Sequence, residues 1–150
     1  MSVTQIKRSA LLPYTAKEMF ELVDAIEHYP AFLPWCSASQ IISRKDNEVE
    51  AKLELSWSGM HKSFTTKNTL TPYERIDINL IEGPFKHLEG IWTFTPMGDH
   101  GCKVNLELDF ELVGHFIDVI FQPIFSHIAN SLVDLFTKRA VEVYGQRKED

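Results

Sequence analysis

Cysteine is scarce in this chain of 150 residues, which contains only Cys36 and Cys102. Two cysteines cannot form the disulfide framework of a small secreted protein, and the sequence has no CxxC pair. The polar segment Met1 to Ala10 resembles neither a secretory signal peptide nor an amphipathic transit peptide. We therefore expect a protein of the reducing cytoplasm, with thiols that are small packing residues rather than nucleophiles.

An excess of positive charge is also lacking, since the formal net charge is −6. Non-specific binding to nucleic acid depends on many Lys and Arg contacts to phosphate, so we expect no binding to DNA. Uninterrupted apolar runs are missing too. The most apolar window, Phe116 to Phe136, is interrupted by Asp118, Gln122, His127, Asn130 and Asp134. A plain membrane span is not expected, and contact with a membrane would be peripheral at most.

The sequence contains none of the common catalytic motifs: no GxSxG, GxxxxGK[ST], GxGxxG or HExxH. Its six histidines are scattered, and no two stand three or four residues apart. A metal site would have to combine residues that are distant in sequence, and we expect none. The carboxylates Glu107, Asp109 and Glu111 alternate with apolar residues, which indicates the solvated face of a strand. We therefore expect a protein that is not an enzyme.

The chain begins with a predicted strand, Val3 to Leu12. Thr15 is a candidate helix N-cap, because Glu18 follows three residues later in the capping-box position. Apolar residues then recur at helical spacing up to Ile26. The segment Tyr29 to Cys36 comes next, with three aromatic residues and two prolines in eight positions. Proline prevents one regular helix here. The segment could form the wall of a cavity, or simply fill the core at a tight turn.

From this segment onwards the apolar period changes from 3.6 to 2, which predicts strands. The predicted strands are 39–45, 48–57, 62–70, 75–81, 88–94 and 103–112. Short turns between them predict an antiparallel sheet with one apolar face. Gly90, inside a predicted strand, is a candidate for a bend of that sheet.

A long helix, about Phe116 to Gly145, is the only large element available to cover the apolar face. Pro123 near its start predicts a kink or a restart. Its apolar stripe comprises Phe121, Phe125, Ile128, Leu132, Leu135, Phe136 and Val143. The fold class is therefore α+β, in a single domain over residues 1–150. We expect a curved antiparallel sheet of about seven strands wrapped around a long C-terminal helix, with two short helices after the first strand.

A tunnel between this helix and the sheet would have apolar walls. The candidate ligand-binding residues are Phe20, Tyr29, Phe32, Leu33, Trp35, Trp57, Phe64, Trp92, Phe121, Phe125, Ile128, Leu132 and Arg139. Arg139 has two interpretations: it holds a ligand head group at the tunnel mouth, or its stem follows the core edge while the guanidinium reaches water. Thr66 and Asn68, on the apolar side of their strand, are equally ambiguous.

Several motifs resemble those of the START-like helix-grip superfamily, and in particular the coenzyme Q-binding protein / ribosome association toxin RatA family, in its bacterial branch. The resemblance covers nearly the whole chain, and the segments around Tyr29–Cys36 and Gly83–Lys86 are the most specific. The matching residues are Leu12–Thr15, Met19-Phe20, Val23-Asp24, Tyr29–Cys36, Gly83–Lys86, Leu88, Trp92–Phe94, Phe121–Phe125, Phe136 and Arg139-Ala140.

The resemblance implies two functions. The first is non-enzymatic binding of ubiquinone or another polyprenyl lipid in support of respiration, with that lipid as ligand and no required cofactor. The second is binding to the large ribosomal subunit, which blocks subunit joining and inhibits translation, and which brings an antitoxin as a further partner. A polyketide cyclase or dehydratase activity is implied only by more distant members of the superfamily. The location implied is the bacterial cytoplasm.

Overall fold

The computed structural model describes residues 3–147, apart from the side chains of residues 115–118. Seven strands and three α-helices follow one another along the chain. They are β1 (Thr4–Leu12), α1 (Ala16–Asp24), a 3₁₀ turn (Ile26–His28), α2 (Tyr29–Phe32), β2 (Cys36–Lys45), β3 (Glu48–Trp57), β4 (Met60–Thr71), β5 (Arg75–Glu82), β6 (Phe85–Met97), β7 (Gly101–Leu112) and α3 (His115–Tyr144). The predicted order of elements is confirmed; β3 has the predicted bounds, while β2 and the strands from β4 to β7 extend further than their alternating cores indicate.

The strands form a single antiparallel sheet in the order β1-β7-β6-β5-β4-β3-β2. From β2 to β7, each strand pairs with the next strand in sequence as a hairpin. The first strand, β1, is added at the edge of the sheet beside β7. Alternation explains which face is covered: Val49, Ala51 and Leu55 of β3 are buried, while Glu48 and Lys52, which alternate with them, are exposed. The covered face carries the core, as the period of two predicts.

Helix α1 begins with the predicted capping box. The backbone N–H of Glu18 donates to Thr15 Oγ1 at 3.1 Å, and the backbone N–H of Thr15 donates to Glu18 Oε1 at 2.9 Å. These bonds satisfy donors that a helix start otherwise leaves free. Met19, Phe20 and Val23 then turn inwards and are buried.

The Tyr29–Cys36 segment forms a single helical turn, α2, followed by an extended residue at Leu33. Pro30 lies in the first turn, where its missing N–H costs nothing. The phenol of Tyr29 donates to the carbonyl oxygen of Val23, which ties α2 to the end of α1. Leu33 and Trp35 are buried behind this turn, so the segment brings an indole into the interior.

Helix α3 runs through Pro123 without interruption, so it does not restart there. Its backbone lies closest to β1 and β7. The sequence-derived stripe is only partly correct, because Val143 is 48% exposed whereas Ala129, Val133 and Ala140 are buried. Small side chains allow the close approach of helix and sheet, and a pattern of large apolar residues does not reveal them. By length and composition alone, Val119–Tyr144 would suffice to cross a membrane; buried core helices meet the same criterion.

The predicted bend at Gly90 is not marked by an irregular register, since Gly90 pairs regularly with Ile78 and Leu108. Register shifts occur instead in β2, in β5 at Ile81, and in β6 next to Phe85. Gly90 serves a packing purpose, because a Cβ there would lie 2.8 Å from Leu108 Cδ1. Bulges strengthen the local twist of a strand, so these positions are where we expect added twist.

Candidate ligand-binding cavity

A cavity lies between α3 and the inner face of the sheet from β3 to β7. It exists because the helix backbone is close to β1 and β7 at one edge, while the strands from β5 to β3 are not in close backbone contact with it. The space between them measures about 100 Å³. Its walls come from the 3₁₀ turn, the Tyr29–Cys36 segment, the sheet and α3, which are the elements expected to enclose a tunnel.

Seven of the predicted ligand-binding residues line the cavity: Tyr29, Trp35, Phe64, Trp92, Phe125, Ile128 and Leu132. Further wall residues were not among the predicted set: Ile26, Ala51, Leu53, Leu55, Thr66, Asn68, Ile78, Leu88, Leu108, Ala129 and Phe136. Most of them lie on the apolar faces of the strands, and the alternating pattern alone marks them. A ligand role for any wall residue remains a prediction.

The other predicted residues lie elsewhere. Phe20 packs edge-on against Tyr73 and Phe94, with ring centroids 5.6 Å apart in both cases. Trp57 is half-buried and faces the imidazole of His127 at 5.3 Å. Leu33 and Phe121 are buried in the core outside the cavity wall. Their hydrophobicity predicted burial correctly, but it could not separate wall residues from core residues.

Phe32 and Arg139 form a pair outside the cavity wall. The guanidinium carbon of Arg139 lies 5.0 Å from the centre of the Phe32 ring, and its Nη1 is 3.6 Å from Glu142 Oε1. The stem therefore covers the edge of the core while the charge interacts with an aromatic face and a carboxylate. This geometry matches the second of the two interpretations of Arg139.

An aromatic cluster closes one side of the cavity around Phe125. Its ring centroid is 4.7 Å from that of Phe110, 5.0 Å from that of Phe85 and 6.3 Å from that of Phe64. These edge-to-face arrangements join α3 to three strands. The wall is therefore rigid at Phe125, because each ring fixes the orientation of the next.

Polar groups on the wall are few and uncharged. Thr66 and Asn68 are buried neighbours on β4, and the Thr66 hydroxyl donates to Asn68 Oδ1 at 3.1 Å. Trp35 is 5% exposed, and its Nε1 has no hydrogen-bond partner within the described part of the chain. Burial raises the pKa of the Tyr29 phenol, and its O–H already donates to Val23. No Asp, Glu, His, Lys or Arg belongs to the wall over residues 3–147.

The cavity is smaller than the expected tunnel. Binding pockets for drug-sized ligands usually measure about 300–1,000 Å³. A cavity of roughly 150 Å³ is enough for benzene. The space seen here is smaller still, so a single ring would require a small shift of wall side chains and a long polyprenyl tail would require a large one. Metal binding has no support in the geometry either: in the described residues no three His, Cys, Asp or Glu side chains converge on one point.

Comparisons with known proteins agree with the fold. The chain belongs to the family described as polyketide cyclase / dehydrase and lipid transport, whose model matches residues 12–137. A solved structure of a START superfamily protein from Mycobacterium smegmatis superposes with a TM-score of 0.70 at 18% identity, covering 89% of this chain and 92% of that one. The START-like fold expected from the sequence motifs is thereby confirmed.

Two curated relatives are similar over most of this chain. One is the ribosome association toxin RatA of Pseudomonas aeruginosa, 42% identical over 142 residues that cover 95% of this chain and 99% of the relative. The other is the mitochondrial coenzyme Q-binding protein COQ10 homolog B of Xenopus laevis, 24% identical over 96% of this chain and 61% of its own length. Both names come from the group that the sequence motifs resemble.

Proposed function

We propose that the protein binds an uncharged, largely apolar small molecule between α3 and the sheet, and that the ligand is ubiquinone or a related polyprenyl lipid in support of respiration. The observation that carries this proposal is the wall of the cavity, which is apolar and aromatic with a few uncharged polar groups. Such walls are typical of small-molecule sites. The name of the coenzyme Q-binding relative supports the choice of ligand class.

Binding without catalysis fits the same wall. The family description includes cyclases and dehydrases, and those reactions need a group that donates or accepts a proton. The wall residues of the described chain offer Tyr29 as the only side chain that titrates, and its hydroxyl is already committed to Val23. We therefore propose a carrier or sensor of the ligand, active in the cytoplasm, rather than an enzyme.

Purification without detergent from a quinone-producing bacterium tests this proposal. Native mass spectrometry should show the protein with a bound lipid, and an organic extract should contain a polyprenyl quinone at about one molecule per chain. A matched preparation of Ile128→Glu, which places a charge on the wall, should carry no lipid while its circular dichroism stays that of a folded protein. Wild-type protein that stays empty after incubation with ubiquinone would contradict the proposal.

We propose a second function, association with the large ribosomal subunit, because one observation favours it directly. The relative named for ribosome association is 42% identical to this chain over nearly its full length, a much closer match than the coenzyme Q-binding relative. In this function the protein would block subunit joining and inhibit translation, and an antitoxin would be a further partner. The two functions are compatible, since the ligand lies inside and a ribosome contact uses the surface.

Charge reversal on α3 tests the second function. Lys138 is exposed and Arg139 is partly exposed beside it, so together they present positive charge on the outer side of the helix. Lys138→Glu with Arg139→Glu should weaken co-sedimentation with large subunits and reduce its salt dependence. Lys103→Glu, on the solvated face of β7, is the matched control. Unchanged co-sedimentation of the double variant would exclude this surface as the contact.

A further inference from the structure

The indole of Trp35 is a hydrogen-bond donor that the protein itself does not use. Its side chain lines the cavity and is 5% exposed, and the Nε1 atom has no acceptor among the residues described. Buried donors are nearly always paired, because loss of hydration without a replacement bond is unfavourable. By contrast, the Tyr29 phenol, which is also on the wall, has an internal acceptor at Val23. An acceptor for Trp35 is therefore missing.

The polar pair Thr66 and Asn68 on the wall also presents a hydrogen-bond donor. The hydroxyl of Thr66 donates to Asn68 Oδ1, and this bond fixes the orientation of the amide. The amide nitrogen of Asn68 then remains as a donor, and its side chain lies on the cavity wall. A wall with N–H donors and without charged groups complements an uncharged molecule that carries acceptor oxygens. It does not complement a phosphate or a carboxylate, because neither charge would be neutralised.

The size of the cavity decides which part of a ligand can be enclosed. A volume of about 100 Å³ is below the roughly 150 Å³ that admits benzene, so one ring enters with a shift of wall side chains, whereas a polyprenyl chain exceeds the space by far. Leu53, Ile78 and Leu132 are wall residues that keep partial exposure. A ligand with a ring and a tail would thus place the ring inside and lead the tail outwards past such residues.

We propose that the cavity recognises the ring end of an uncharged ring carbonyl compound of the quinone class, with a ring carbonyl oxygen accepting the hydrogen bond of Trp35 Nε1–H. This inference rests on the proposed ligand-binding function, and it adds which end of the ligand enters and which residue recognises it. Trp35 is thus a specificity-determining residue: it distinguishes a carbonyl-bearing ring from a hydrocarbon of the same shape. The isoprenoid tail contributes little beyond its first unit, because it lies outside the cavity.

Two probes and two variants separate recognition from packing. The probes are the dimethoxy-methyl-benzoquinone bearing one isoprenoid unit, and prenylbenzene, which has a similar ring and tail without oxygen. Trp35→Phe removes the donor and keeps an aromatic ring, while Trp57→Phe makes the same change outside the cavity wall. We expect Trp35→Phe to weaken quinone binding about tenfold, as for a lost buried hydrogen bond, and to leave prenylbenzene binding unchanged. Trp57→Phe should change neither affinity.

The indole N–H signals in a proton–nitrogen correlation spectrum report the bond directly in the wild-type protein. The chain has three tryptophans, and the signal of Trp35 is assigned by its absence in Trp35→Phe, or by selective labelling if that variant does not fold. This signal should move downfield with the quinone and stay in place with prenylbenzene. Extending the quinone tail from one isoprenoid unit to two should change the affinity by less than about twofold, since a fully enclosed unit of five carbons would otherwise add on the order of a hundredfold or more.

The outcomes distinguish this inference from the function on which it rests. Equal quinone affinity in Trp35→Phe with an unmoved Trp35 signal would overturn the recognition by Trp35, yet quinone binding itself would stand. A severalfold gain from the second isoprenoid unit would overturn the ring-first orientation. A wild-type protein that binds neither probe would overturn both the inference and the proposed ligand-binding function.

Discussion

The ring of Phe125 on α3 lies 4.7 Å from the ring of Phe110 on β7, at an interplanar angle of 74°. Both side chains are buried, Phe110 completely. This contact fixes the helix against the last strand at the point where the cavity begins, so it determines both the stability of the fold and the position of one cavity wall.

Removal of the Phe125 ring should therefore destabilise the folded protein strongly. Phe125→Ala deletes the contacts with Phe110, Phe85 and Phe64 together, and we expect the free energy of unfolding to fall by about 3–5 kcal/mol. Chemical denaturation checks this value. Val141→Ala, on the exposed side of the same helix, should cost under about 0.5 kcal/mol. Equal losses in the two variants would mean that the Phe125 cluster does not join helix and sheet.

Gly83 lies where the turn before β6 passes the cavity wall. Its φ is +153°, and a Cβ at this position would lie 2.6 Å from the Cβ of Phe64. Gly83→Ala should destabilise the protein by about 2–5 kcal/mol, because backbone strain and a clash with an immobile atom add together. Gly98→Ala is the control, since Gly98 has φ +69° but open space around it. It should cost only about 1–2 kcal/mol, measured by thermal or chemical unfolding.

The C-terminal segment is held to α1 by an ion pair. Arg147 Nη1 and Nη2 donate to Glu18 Oε1 and Oε2 at 2.7 and 2.9 Å. The hydrogen bond from Arg147 holds the pKa of Glu18 below its ordinary value of 4.5. A lowered folded pKa means that the stabilisation is present above the unfolded pKa and is lost as the pH falls through the folded value.

Glu18→Gln should therefore lower the melting temperature slightly at pH 7, and the difference from wild type should disappear in acid, below the folded pKa. The expected contribution is about 0.2–1 kcal/mol, because both groups retain contact with solvent. Glutamine can still accept the capping-box hydrogen bond, so the substitution isolates the charge. Exposed Glu74→Gln is the control. A difference that persists unchanged below pH 3 would show that charge is not its cause.

Both thiols should be unreactive in the folded protein. Cys36 and Cys102 are buried, and burial raises the pKa of each thiol to about 11. At pH 8 the thiolate would then be about one part in a thousand, and the sulfur atoms are inaccessible as well. Iodoacetamide should label neither residue in native conditions and both in denaturant, as read by mass spectrometry. Rapid native labelling of Cys102 would contradict its place in the core.

Residue patterns predicted the fold closely and the cavity only in part. Alternation located β3 at its observed bounds, and the Thr15–Glu18 spacing located the start of α1. The residues of the cavity wall were harder to predict, because burial alone does not tell whether a side chain borders empty space or another side chain. Phe121 and Phe125 both belong to the apolar stripe predicted from helical spacing, yet of the two only Phe125 lines the cavity. The gap between α3 and the sheet depends on the tertiary arrangement, which the sequence pattern does not mark.

Arg139 shows a second reason why the site could be predicted from the sequence only in part. A cation next to an apolar helix stripe can face a ligand or lie over an aromatic ring, and local spacing is the same in both cases. Its neighbour Phe32 comes from a segment more than a hundred residues earlier in the chain. The tertiary arrangement places the guanidinium over Phe32 and beside Glu142, and a ligand role for Arg139 stays a prediction.

The pairing of β1 with β7 has a consequence for synthesis. Thr4 is opposite Phe110 and Leu12 is opposite Cys102, so the first strand must wait for the last strand of the sheet before it can pair. Contacts of such large sequence separation slow folding, because the intervening chain must first be ordered. The back wall of the cavity, on α3, is made later still. While it is being translated, the nascent chain exposes an apolar sheet face that a chaperone or an early-bound ligand would have to cover.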